Sequence, residues 1–289
     1  MEIYVISALV SLAFSSLDTI VNKLTTRHFI KNPLVFNYYY YPLALLFVLP
    51  IPLFTKIEPI TTDLPNVLLV SFIGVLAYLG YAYGLYGIDA STIAPLKNLR
   101  VVFSTIFAFI LLGEKLPSDK YIWLVILVIC GFLVTLDETF QPKAFVKKSV
   151  LLIYGWLIGL SLYSIFSNRG TTSMGFWSFI FWVAIIQFPI ASLSVPLFWK
   201  EILITRKQFI PMFISVSASF LATVTAVRAF EGNVTVSTAI VSFPLEILLV
   251  FILSRTSPKL LESHPGYVYI VRFCAAALML ICLIFLVSL

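Results

Sequence analysis

The sequence predicts an all-α integral membrane protein of ten transmembrane helices, arranged as two inverted five-helix repeats. Three observations carry that prediction. Of 289 residues, 61% are hydrophobic and only 11% charged, whereas a soluble domain carries about a quarter charged residues. The mean hydropathy is +1.04, and the apolar stretches reach the roughly 18 residues needed to cross about 30 Å of hydrocarbon as helices. Finally, the two halves of the chain align with each other at a constant offset of 146 residues.

Lipid offers the backbone no hydrogen-bond partners, so each spanning segment has to satisfy its own N–H and C=O groups, which a helix does. The alternation of polar and apolar residues expected of barrel strands is absent. The spans read as 3–24, 33–54, 66–88, 91–112, 120–137, 149–168, 175–199, 208–230, 233–254 and 267–288. Polar connectors separate them, and the run from Met1-Glu2 reads as a retained first span, because it lacks a basic leader and a small-residue cleavage site. The longest connector, Asp137 to Lys148, divides the chain into repeats at 1–142 and 143–289.

At the offset of 146, Asn22-Lys23-Leu24-Thr25-Thr26 meets Asn168-Arg169-Gly170-Thr171-Thr172. Pro50 meets Pro196, Ser91-Thr92 meets Ser237-Thr238, and Tyr121 meets Tyr267. Five spans per repeat is an odd number, so the second copy enters the membrane from the opposite side. Inverted repeats of this kind place a substrate site near the midplane between them.

The net charge of +6 falls in connectors, where it orients the chain, and no aromatic-studded basic patch for nucleic acid exists. One side gathers Lys23, Arg27, Lys31, Lys143, Lys147, Lys148, Lys200, Arg206, Lys207, Arg255 and Lys259; the other has Lys56, Lys115, Lys120 and Arg169. The richer side is expected in the cytoplasm. Both termini then lie on the non-cytoplasmic side of a cell (inner or plasma) membrane. Cys130, Cys274 and Cys282 sit in apolar segments without CxxC spacing, and His28 and His264 lie far apart. With no HExxH, Walker A or GxSxG pattern, the sequence implies neither an enzyme nor a metal or other cofactor.

Ionisable residues inside spans are expensive, about 2.5–3.5 kcal/mol each on insertion scales, and so mark function or pairing. Lys97 and Arg100 share a face of the fourth helix. Arg100 lies about 13 Å inside the span at 1.5 Å per residue. Glu246 is its counterpart at the 146 offset, and an acid and a base at equivalent repeat positions can meet across the pseudo-two-fold axis. The alternatives are a structural ion pair and an anion-binding site in which Glu246 pairs with the bases or carries a proton. Asp18 and Asn22 share a face of the first helix with Ser11 and Ser15, either as interhelical glue or as a coupling site. Asp18 and Glu246 are the candidate proton carriers. Tyr81 and Tyr163 offer π faces to a cation or ring. Arg228, near the end of the eighth span with Glu231 beside it, reads as an interfacial pair or a substrate contact. The run Tyr38-Tyr39-Tyr40-Tyr41 points around a whole helix, so at most two members can face a cavity, and an interfacial belt is the default. Gly80-xxx-Gly84 and Gly155-xxx-Gly159 fit close helix crossings. Pro42, Pro95, Pro189 and Pro244 mark bend points.

The two repeats, the Ser91-Thr92-Ile93-Ala94-Pro95 start of the fourth span and the Gly113-Glu114-Lys115-Leu116 at its end resemble the drug/metabolite transporter superfamily, in its ten-helix EamA-type branch. The second repeat departs from that pattern, with Arg255-Thr256-Ser257-Pro258 where Gly-Glu would recur. The resemblance implies a secondary transporter whose cavity is lined by the first, third, fourth, sixth, eighth and ninth helices. Relatives that carry phosphate or carboxylate use bases on the fourth and ninth helices. Here Phe243 and Glu246 occupy the ninth-helix positions, which favours a zwitterion such as an amino acid over a doubly charged phosphate, with export preferred. The expected partners are a small-molecule substrate, the lipid bilayer and a coupled proton. The alternatives are a flippase or enzyme acting on lipid-linked substrates, and a non-transporting membrane subunit.

Overall fold

The computed structural model describes residues 3–87, 96–97, 99–135, 148–243, 245–246, 248–249, 252 and 266–287. Within them lie ten α-helices: α1 Ile3–His28, α2 Pro33–Val48, α3 Leu64–Gly87, α4 Leu99–Phe107, α5 Ser118–Thr135, α6 Lys148–Met174, α7 Phe176–Ser192, α8 Arg206–Phe230, α9 Val234–Val241 and α10 Gly266–Val287. A π turn, Ala108–Leu112, continues α4. Six segments among the described residues are long and apolar enough to cross a membrane: Ile3–His28, Pro33–Leu53, Leu64–Gly87, Lys148–Met174, Phe176–Leu197 and Arg206–Phe230. The fold is all-helical, and these six answer to six of the ten expected spans. Ser91–Pro95, Lys143, Lys147, Pro244, Arg255–Pro258, Lys259 and His264 lie outside the described residues.

Two boundaries differ instructively from the sequence reading. Helix α6 runs through the polar stretch expected to be a connector, ending only at Met174. Thr171 and Thr172 donate their hydroxyls to the Asn168 carbonyl at 3.1 and 2.8 Å, so polar side chains are satisfied within the last turns. Gly175, at φ +82°, then makes the whole connection to α7, a conformation that glycine adopts without steric cost. Helix α1 extends past the apolar window in the same way, with Thr26 donating to the Asn22 carbonyl at 2.9 Å.

The most extensively packed pairs are α1 with α8 and α3 with α6. Small residues make the second crossing close. A Cβ at Gly80 would lie 3.1 Å from the Leu152 carbonyl oxygen, and one at Gly84 only 2.4 Å from Ile153 Cδ1. Gly159 faces Ala77, 2.6 Å from a Cβ placed there, whereas nothing lies within 4 Å of one at Gly155. Of the second glycine pair, therefore, only Gly159 serves the crossing. Gly159→Leu is expected to force α3 and α6 apart, costing about 1–3 kcal/mol through overpacking and lowering the melting temperature in detergent by several degrees. Gly155→Ala should leave it unchanged, and equal effects of the two would contradict this account.

One apolar core unites α2, α3, α6 and α8 around Phe36, Tyr81, Leu157 and Met212. A second joins α4, α5, α9 and α10 around Val101, Leu127, Met279 and Leu283. At its margin the Trp123 and Phe285 rings stack at 4.3 Å and 4°. The space between these two groups of helices positions the site.

Candidate functional site

A cavity of about 150 Å³ lies where the two groups meet. Asp18 and Thr19 of α1 line it, with Tyr40 of α2, Tyr78 and Tyr81 of α3, Trp156 and Tyr163 of α6, and Ser219 and Thr223 of α8. Lys97 and Arg100 project into it from the start of α4, and Val241 and Ser242 bound it at the end of α9. The Arg100 amide donates to the Lys97 carbonyl at 3.0 Å, so one helical turn carries both bases to the same wall.

The bases differ in how they are partnered. Lys97 Nζ lies 2.7 Å from Glu246 Oε1 and donates to Thr19 Oγ1, also at 2.7 Å. The ammonium meets Oε1 as a charge contact away from the hydrogen-bond axis. Ser16 donates to the other carboxylate oxygen at 3.3 Å, and Glu246 is 1% exposed. Arg100 has no such carboxylate among the described residues. It is 8% exposed, its guanidinium carbon stands 5.6 Å over the Phe230 ring, and its Nε makes no hydrogen bond. An aromatic face repays part of the desolvation of a cation, but a buried charge is fully offset only by an opposite charge with hydrogen bonds.

Asp18 forms the other polar pole. Asn22 Nδ2 donates to its Oδ1 at 2.7 Å, and the Ser219 hydroxyl donates to the same oxygen. Asn22 accepts from Ser215, and its amide lies 3.5 Å from the Tyr81 hydroxyl. Ser11 closes the α1–α8 seam by donating to the Ala222 carbonyl at 2.8 Å. Aromatic rings form the wall between the poles: Tyr40 and Tyr78 at 4.5 Å, and Tyr81 and Trp156 at 4.5 Å between centroids.

The residues singled out from sequence thus separate into three groups. Lys97, Arg100, Asp18, Tyr81 and Tyr163 line the cavity. Asn22 and Glu246 stand behind it, holding Asp18 and Lys97 respectively. Arg228 lies elsewhere: it pairs with Glu231 near the end of α8 and covers the Phe176 ring at 5.6 Å, outside the lining of this cavity. Of the two pairings open to Glu246, the one with Arg100 is not made. The carboxylate meets Lys97, one turn earlier, and Arg100 turns toward Phe230. The members of the tyrosine run point to different places. Only Tyr40 reaches the cavity; Tyr41 is buried, Tyr38 packs on Phe188 and Phe198, and Tyr39 donates to the Ile202 carbonyl.

Sequence reasoning passed over Trp156, Ser219, Thr223, Phe230 and Ser242. For α8 a signal existed: Ser215, Ser219 and Thr223 recur every four residues, a polar stripe matching the one on α1. Glu114 was read only as part of a motif. Its carboxylate accepts from the amides of Val234 and Thr235 at 3.0 and 3.3 Å and from the Thr235 hydroxyl at 3.1 Å, so it caps the first turn of α9. Gly113, at φ +69°, turns the chain so that Glu114 reaches there. Nearby, Asn168 holds the Phe230 carbonyl at 2.7 Å and Arg169 donates to the Leu111 carbonyl. Beyond Phe230, then, the ends of α4, α6, α8 and the start of α9 are tied together.

A bundle of long apolar helices around an internal, charged and aromatic cavity defines a multi-pass helical membrane protein. Residues 2–136 match the EamA-like transporter family. A solved crystal structure shares the fold with a TM-score of 0.68 over 96% of this chain and 96% of that one, at 13% sequence identity. No curated protein matches the sequence.

Proposed function

We propose that the protein is a secondary transporter that exports a small zwitterionic or anionic metabolite, such as an amino acid, by alternating access. The observation that carries this reading is Arg100: a buried guanidinium facing a membrane-embedded cavity, with no carboxylate among the described residues to neutralise it. The neighbouring base, Lys97, is already paired with Glu246, which leaves Arg100 to receive the anionic group of the solute. Asp18, across the cavity, suits an ammonium or a proton. The family match of the first half supports transport. Two inverted repeats are supported by the packing, since the 146-residue offset exchanges α1 with α6 and α3 with α8, and so converts the α1–α8 pair into the α6–α3 pair.

Alternating access would rock one group of helices against the other around the cavity, opening the tied end beyond Phe230. Asp18 carries the coupled proton in this scheme, and Glu246 serves as the fixed counter-charge of Lys97. Solute counterflow in proteoliposomes, run across a panel of amino acids, sugar phosphates and hydrophobic cations, is the direct test. An amino acid should exchange, and an imposed proton gradient should drive its accumulation at least tenfold in the wild-type protein. Asp18→Asn should retain counterflow exchange and lose the response to the gradient. Gradient-driven accumulation that survives Asp18→Asn would remove Asp18 from the coupling role. Exchange of hydrophobic cations alone would overturn the assignment of substrate class.

A further inference from the structure

The connection between α1 and α2 and the one between α7 and α8 are distant in sequence yet joined in space. Asn32 Nδ2 donates to Glu201 Oε2 at 3.1 Å. Gln208 Nε2 donates to the Phe29 carbonyl at 3.0 Å, and the Tyr39 hydroxyl donates to that of Ile202. The joined segments carry Lys31, Lys200, Arg206 and Lys207, each exposed and each within two residues of a junction contact made by Asn32, Glu201 or Gln208. None of the four forms an ion pair among the described residues. The acid between them, Glu201, already receives the Asn32 amide.

A cavity of about 240 Å³ opens between the joined segments, bordered by Lys31, Asn32, Val35, Glu201, Leu203 and Gln208. The α7–α8 connection also carries largely uncovered apolar side chains: Leu203, at the cavity border, is 90% exposed and Trp199 67%. Clustered positive charge at the rim of an apolar surface is the chemistry that holds an anionic phosphate with its hydrocarbon tail. The connection between α2 and α3 supplies the contrast. Its Leu53 and Phe54 are as bare, 81% and 86% exposed, but its Lys56 is paired with Glu58 at 3.1 Å. Exposed apolar residues alone meet any lipid; uncompensated bases beside them select an acidic one.

We propose that this junction is a binding site for the phosphate headgroup of an anionic phospholipid, with an acyl chain lying along Trp199 and Leu203. The site is separate from the solute cavity, and its occupancy ties together the α1–α2 and α7–α8 connections. By the distribution of basic residues, this face is the one expected at the cytoplasmic leaflet. The proposal does not depend on which solute is carried.

The test uses delipidated full-length protein in a neutral detergent, with lipid retention read by native mass spectrometry and stability by thermal shift. Phosphatidylglycerol should bind and stabilise, and phosphatidylcholine should do so at least tenfold more weakly. Each basic residue near the surface is worth about fivefold in affinity, so Lys31→Gln combined with Arg206→Gln and Lys207→Gln should weaken phosphatidylglycerol about a hundredfold. The charge-preserving set Lys31→Arg, Arg206→Lys and Lys207→Arg should retain it, which separates lost charge from lost folding. Lys56→Gln should have no effect. Equal binding of the two lipids, or phosphatidylglycerol binding unchanged in the triple glutamine variant, would overturn the proposal. So would equal stabilisation by glycerol 3-phosphate at matched concentration, which would identify a site for a soluble anion instead.

Discussion

Arg100→Ala is expected to abolish the thermal stabilisation conferred by the transported solute and to weaken its binding about a hundredfold or more. Truncating one partner of a buried, hydrogen-bonded charge pair typically costs 2–5 kcal/mol or more, and Arg100 is the buried base left without a carboxylate among the described residues. The variant should remain folded. In the wild-type protein the desolvated guanidinium is only partly compensated by the Phe230 ring, so removing it relieves a cost in the ligand-free protein, and its melting temperature should hold steady or rise. Arg100→Lys keeps the charge but loses the planar two-point donor set that fits a carboxylate, and should fall between the two. The decisive comparison is ligand-induced stabilisation of the three proteins across a solute titration. Undiminished stabilisation in Arg100→Ala would mean that the base is structural and that the anion binds elsewhere.

The second large effect is expected at Glu246, and it is an effect on stability. Glu246→Gln leaves the Lys97 ammonium buried without its counter-charge, and breaking such a pair costs about 3–5 kcal/mol. For a chain of this size that corresponds to a fall in melting temperature of about ten degrees. The double replacement Lys97→Met with Glu246→Leu should recover most of that loss, because exchanging a whole buried pair for apolar groups of similar volume is often neutral or better. Binding supplies the discriminating readout. If Lys97 only fastens α4 to Glu246, the double variant regains solute binding along with stability. If its ammonium also faces the solute, as its place on the cavity wall indicates, stability returns and binding does not.

The sequence by itself determined the medium and the elements. Composition and segment length required helices in lipid, and the ionisable residues inside apolar runs were few enough to name individually. Lys97, Arg100 and Asp18 were identified that way, and all three line the cavity. The physical reason is that burying charge in hydrocarbon is so costly that every exception stands out against the composition.

Partnership was decided only by the tertiary structure. Nothing in the spacing of Lys97, Arg100 and Glu246 says which base the carboxylate meets, because a rotation of less than one helical turn exchanges them; the packing of α4 fixes that rotation. The same holds for Tyr38 to Tyr41, whose composition suggested an interface and whose packing sends one ring to the cavity and others into the protein. For Arg228 the spacing already placed Glu231 beside it, whereas the Phe176 ring under its guanidinium is visible only in the packing. Trp156 and Phe230 were hidden for a plainer reason: in a chain with 26 phenylalanines and 5 tryptophans, an aromatic side chain acquires meaning only from what it faces. Charge in a membrane protein is legible one residue at a time, whereas contact depends on helix rotation and crossing, which arise from the summed packing of many similar apolar side chains.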